Sequence, residues 1–382
     1  MFLPTDRHQF SYFVFFQLIV QVYKRKSIEM STSVGAHYIS EKVSKVRWLP
    51  EKLQQSERFL TGSWDMDNNF VRVWRLHANP YAQGLEHTPR CNDKVAVEGD
   101  VTGLEFLNDD TFAVGCADGH LSLFHVQRAV EEDQIQRKAR SERLHEFKCS
   151  QTRAPCTAIA VYGTDIATVG EDGRLNVLSA NNLKQVKRAI DADSMTLLAV
   201  SYVSQHQLVT ANRMGVIRMF DVRTAGDGQP KASFMAACQD TKSSNFVSAM
   251  ATHPMQQHIL ICGSEEGSIT VWDLRNLEYP ASYLSAHNSP ITDIGFHRQD
   301  PSKLFSAAEA GEVWMWSEKK QHFDASQNDG SSAWLCGDRL RTMVNVDGVL
   351  TNIRKAVNSF DVHGSRMVCG SDTEAVYIVN DV

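Results

Sequence analysis

None of the eight cysteines (Cys91, Cys116, Cys149, Cys156, Cys238, Cys262, Cys336, Cys369) forms a CxxC pair, and their spacing suggests no disulfide framework. That points to a reducing compartment, cytosol or nucleus. Cys116, Cys262 and Cys369, near-equivalent within strand-like segments, read as small buried residues. The fourteen histidines make no HExxH and no His/Cys ligand spacing, so no metal is expected. There is no GxSxG elbow and no GxxxxGK phosphate loop. Gly170-Glu171-Asp172-Gly173 reads as a turn. Neither an enzyme nor a cofactor is expected. The net charge of −6 lacks the basic excess of a nucleic-acid binder.

Long apolar runs are missing too. Residues 10–23 (FSYFVFFQLIVQVY) are interrupted by Gln17 and Gln21, and fall short of the roughly twenty residues that span a bilayer. Lys24-Arg25-Lys26 follows the run, the reverse of a secretory signal. Met30 opens a different style of sequence, so residues 1–29 are read as an upstream extension, and residues 1–36 together are expected to be an N-terminal extension outside the fold. Long amphipathic helices are absent. Residues 131–147, charged and free of Gly and Pro, are expected to make a short helical excursion.

What is present is a repeat. Residues 260–275 read LICGSEEGSITVWDLR, two strand-like segments around an acidic-Gly turn. Six further copies follow the pattern: 59–74, 112–124, 166–178, 208–220, 304–316 and 367–379. The turn glycines Gly119, Gly173, Gly215, Gly267 and Gly311 are separated by 54, 42, 52 and 44 residues. Four-stranded propeller blades with variable loops have periods of this kind. The expected fold is all-β, a seven-bladed β-propeller over residues 37–382, with an irregular loop at about 319–356. First strands are expected at 43–49, 101–107, 197–203, 247–253 and 291–297. The last copy has three strands, so residues 37–41 are expected to supply its outer strand and close the ring. The outer strand of blade six is placed around 340–344.

Several side chains look structural. Trp74, Trp272 and Trp316 end strands. His287, Ser306, Glu309 and Trp316 resemble the hydrogen-bonded tetrad of a WD40 blade, with Glu for the usual Asp. Asp118, Asp172 and Asp372 are read as lone turn acids. Trp272-Asp273-Leu274-Arg275 resembles the WDxR motif with which some WD40 proteins dock on adaptors of cullin-type ubiquitin ligases, through residues such as Asp273 and Arg275. Residues 220–223 are a weaker copy. The simpler reading is that the Asp turns the chain and the Arg pairs with it.

Three stretches are more specific. HYISEKVSKVRWLP (37–50) with FLTGSWD (59–65), VGEDGRLN (169–176) with ADSMTL (192–197), and VCGSDTEAVYIV (368–379) resemble the small WD40 nucleoporins of the nuclear pore's Y-shaped outer-ring complex. The resemblance covers 37–382 in order. It implies a scaffold subunit at the nuclear envelope, monomeric within a hetero-oligomer. The implied partners are α-solenoid nucleoporins, chiefly one that also carries a second small propeller. The implied roles are pore assembly and transport of mRNA and protein, with a presence at kinetochores in mitosis. A ubiquitin-ligase substrate receptor is the alternative, and a propeller anchored to the membrane by residues 10–23 is a third.

Overall fold

The hairpin at the centre of the repeat forms as Ile259–Ser264 and Ser268–Asp273. All six residues of the first strand are buried, because neighbouring blades cover both of its faces. The turn closes with Gly267 N–H donating to Ser264 O at 3.1 Å. The structure, a computed structural model, describes residues 33–78, 87–224, 228–236, 246–319, 332–337 and 340–382. The expected extension and the apolar run at 10–23 lie outside the described residues.

Seven four-stranded antiparallel sheets form seven blades, and six follow chain order: 43–97, 101–140, 156–191, 197–235, 247–285 and 291–350. The seventh combines Val357–His363, Arg366–Ser371 and Ala375–Asn380 with Val34–Tyr38 from the other end of the chain. Val34 faces Val379 and Tyr38 faces Ala375. The closing strand therefore exists but begins three residues before the expected His37. The turns between second and third strands share one face of the disc with the connections between blades. The turns between first and second strands, and between third and fourth, lie on the other.

Every first strand carries a bulge at its second residue, where the register with the second strand slips by one. The skipped residues are Ser44, Thr102, Thr157, Leu198, Ser248, Thr292 and Asn358. In six of them a side-chain donor binds a backbone carbonyl. Thr157 Oγ1 reaches Leu197 O of the next blade at 2.6 Å, and Asn358 Nδ2 reaches Val43 O at 2.9 Å. Thr292 likewise donates to Val357 O. The bulge thus supplies part of the blade-to-blade adhesion.

Two expectations fail, both at outer strands. Residues 131–147 make no helix: Gln134–Arg140 is the fourth strand of blade two, with Ile135 buried beneath it. In blade six, Leu340–Met343 is a helical turn, and the outer strand is Val344–Leu350. The irregular loop before it carries an anchor. Trp334, on the 3-10 turn Ala333–Leu335, is fully buried, stacks edge-on against Phe296 at 5.7 Å, and accepts a bond from Ser282 Oγ through its carbonyl.

Candidate functional site

The turn glycines adopt φ between 72° and 83°, where side chains are strained. Space forbids a side chain as well. A Cβ on Gly173 would sit 2.1 Å from Asp193 O, and one on Gly267 2.3 Å from His287 O.

Blade three holds a full polar relay that sequence reasoning missed. His145 Nδ1 lies 2.9 Å from Asp172 Oδ1, and His145 Nε2 lies 2.9 Å from Thr168 Oγ1. Asp172 also accepts the backbone N–H of Glu146 and of Arg174. It is not a lone acid. Leu178 stands where blades one, five and six place Trp74, Trp272 and Trp316, and the Asn176 amide, two residues before it, donates to Leu144 O at 3.0 Å. His145 sits in the connection from blade two, between Leu144 and Glu146, without a glycine before it to mark the position.

In blade six, Ser306 Oγ lies 2.8 Å from His287 Nε2 and receives the Trp316 indole N–H at 3.0 Å. The acid is not Glu309, which is exposed. Alignment of the turns puts Ala310 where Asp172 stands, so the carboxylate position is vacant there. Glu312 approaches His287 Nδ1 instead, at 3.6 Å. Trp74 donates to Thr61 Oγ1 at 2.9 Å. In blade five Cys262 replaces the hydroxyl, and the Trp272 indole turns to Ala236 O at 3.4 Å. Asp118 receives Arg140 Nη2 at 2.7 Å. Asp372 receives the Trp64 indole at 2.9 Å and the Asn358 amide at 2.6 Å, tying blade seven to blade one. In blade three such a network satisfies the buried polar groups it joins, whereas in blade six His287 Nδ1 has no hydrogen-bond partner among the described residues.

Cys262 and Cys369 share one register position, and Cys116 stands two residues further along its strand. All three are buried. Burial pushes the Cys116 thiol up to about 12, so it stays protonated. Among the described residues no group of three or more His, Cys, Asp or Glu side chains is placed to hold a metal.

A channel cavity of about 520 Å³ is lined by the first strands. Arg47 spans its wall. Its Nη2 lies 2.8 Å from Glu105 Oε1, its Nη1 donates to Ser359 Oγ at 3.0 Å, and Asp293 stands 3.9 Å away. Burial opposes the charge on Arg47, but Glu105, Asp293 and Asp361 overcome it and raise its pKa above the ordinary value. One guanidinium thereby links blades one, two, six and seven.

The WDxR-like segment is closed on itself. Arg275 Nε donates to Asp273 Oδ1 at 2.9 Å and Nη2 to Oδ2 at 2.6 Å. Arg223 repeats this fork on Asp221 one blade earlier. Both arginine side chains remain 64% exposed.

A family model described as "Nucleolar protein 10-like, N-terminal domain", a β-propeller, matches residues 140–332, just over half of the sequence. The chain belongs to that propeller family. Over nearly its whole length it is also similar to nucleoporins. "Nucleoporin Nup43" of Mus musculus is 29% identical over 383 residues, covering 91% of this chain and 99% of the relative. The Homo sapiens protein of the same name is 28% identical, covering 90% and 98%. "Nuclear pore complex protein NUP43" of Arabidopsis thaliana is 25% identical, covering 91% and 98%. The likeness to WD40 nucleoporins read from the three sequence stretches holds across these relatives.

Proposed function

We propose that the chain is a non-enzymatic scaffold subunit of the nuclear pore complex, binding α-solenoid nucleoporins and supporting transport of mRNA and protein. Similarity to Nup43 nucleoporins from end to end of those relatives carries the reading. It supports the coarser statement, a nucleoporin scaffold at the pore. The partners, the transport roles and a mitotic presence at kinetochores rest on the resemblance of the first, third and last blades. The scaffold unit is the propeller, and the residues before it are an extension. A ring of seven packed blades suits a scaffold, since recognition then falls to loops on a fixed frame.

The ligase-receptor alternative rests on Arg275, which Asp273 already engages through two bonds. Affinity purification with quantitative mass spectrometry separates the two. Outer-ring nucleoporins are expected at near-equal amounts, unchanged in Arg275→Ala. Cullin and adaptor without nucleoporins, lost in Arg275→Ala, would overturn the proposal.

A further inference from the structure

Blades four and five have the shortest outer strands, Ala232–Met235 and Ser282–Ser285, four residues each. Between them, on the face opposite the glycine turns, a cleft of about 330 Å³ remains open. Its floor is apolar, with Val203, Met219, Leu274 and Leu277. Among the described residues its ionisable lining is Lys231, Arg275 and His258, with no carboxylate. Lys231 is exposed and makes no ion pair with any described residue. Asp273 is ion-paired with Arg275, and neither it nor Glu278, on the same loop, lines the cleft. The two loops that wall the cleft also present Met255, 78% exposed, and Tyr279, 70% exposed. Each stands two residues from a lining position, Gln257 and Leu277.

We propose that this cleft is a docking site for an acidic peptide segment of a partner chain, which inserts one large apolar side chain between blades four and five. The concavity accepts a single Leu- or Phe-sized group. Lys231 offers at the rim a positive charge with no ion-pair partner among the described residues, and Met255 and Tyr279 extend the apolar contact beyond it. Methionine and tyrosine are suited to such surfaces, one by adaptability and one by its amphipathic ring. An anionic membrane fits less well. It favours protruding apolar groups and clusters of about four to eight Lys and Arg, whereas this surface is recessed and carries two. The inference stands on the surface alone, whichever assembly the propeller serves.

The test is selection of displayed short peptides, Asp/Glu-rich with one variable central position, on the full chain. Phe, Leu, Trp or Met should be enriched at the centre. The affinity of a selected peptide should fall at least about tenfold in Lys231→Glu and in Leu277→Asp. It should be unchanged in Met214→Ser, on the opposite face. Lys231→Gln, conservative at an exposed position, should give an intermediate loss, and matching thermal melts identify variants that remain folded. Three results would overturn the proposal: no apolar-centred acidic enrichment, equal affinity in folded Lys231→Glu, or binding only to phosphatidylcholine vesicles containing about one-third phosphatidylserine.

Discussion

Asp172 shows how one carboxylate stabilises a blade through three donors. Burial alone would raise its pKa. The bonds from His145 and from the backbone N–H groups of Glu146 and Arg174 outweigh that and hold it below the ordinary value of 3.8. With Asp172 ionised, His145 Nδ1 carries the proton and Nε2 accepts the Thr168 hydroxyl. Asp172→Asn keeps one acceptor but sets an amide N–H₂ against backbone N–H donors, which costs about 1–3 kcal/mol. The linkage has a definite sign. The unfolded Asp binds a proton near 3.8 while the native carboxylate does not, so the stabilisation is complete above that range. It is lost as pH falls through the lower native pKa. Denaturant unfolding at neutral pH should show Asp172→Asn the weaker protein. The gap to wild type should narrow below about pH 4. A gap that stays constant down to pH 3 would mean that the charge of Asp172 is not what the variant removes.

Individual strands differ in how much of themselves they show in the sequence. Second and third strands are legible because both faces are covered. Apolar and β-branched residues dominate their buried positions, and in five blades a positive-φ glycine marks the turn. Fourth strands have one exposed face and one free edge, so polar residues dominate. Gln134–Arg140 buries little besides Ile135 and therefore resembles a solvated helix. The same weakness displaced the outer strands of blades six and seven by a few residues. At the tetrads, residue types were legible but spatial partners were not: Glu309 stands nearer in sequence to the required turn, yet Glu312 is the one that reaches His287. Second strands also carry a notch that only packing reveals. A Cβ on Gly370 would lie 2.3 Å from Val43 Cγ1 and 2.9 Å from its Cβ, in the neighbouring blade. Gly295, by contrast, meets only Phe360, at 3.7 Å. Gly370→Ala should therefore cost about 1–3 kcal/mol in chemical denaturation, and Gly295→Ala should be close to neutral. Equal effects at the two sites would remove blade packing as the reason for glycine at position 370.

At the scale of the ring, two devices close the chain on itself, and their contributions differ. The first is the outer strand Val34–Tyr38, whose residues are exposed or half-exposed. It contributes backbone bonds to Ala375–Asn380 and a side-chain bond from Tyr38 OH to Glu374 Oε2 at 2.8 Å. The second is the seam between the first strands of blades seven and one. There Asp361 Oδ2 accepts the Trp48 N–H at 2.8 Å, Asp361 O accepts the Trp48 indole at 3.1 Å, and His363 Nε2 donates to Glu51 O at 3.0 Å. Trp48 is fully buried there. Burial of that extent is worth several kcal/mol, whereas a half-exposed edge strand adds mainly hydrogen bonds at a net of about 1 kcal/mol each. Trp48→Ala should thus cost about 3–5 kcal/mol. Deleting the chain through Tyr38 should lower the melting temperature while leaving a cooperative transition. The deletion also bares the edge of Ala375–Asn380, an apolar strand ready to pair with another molecule. Size-exclusion chromatography with light scattering should accordingly show concentration-dependent self-association of the truncated protein that the intact chain lacks. A truncated chain that melts without cooperativity would place ring closure in the outer strand and demote the seam. One that stays monomeric would show that another part of the ring covers the bared edge.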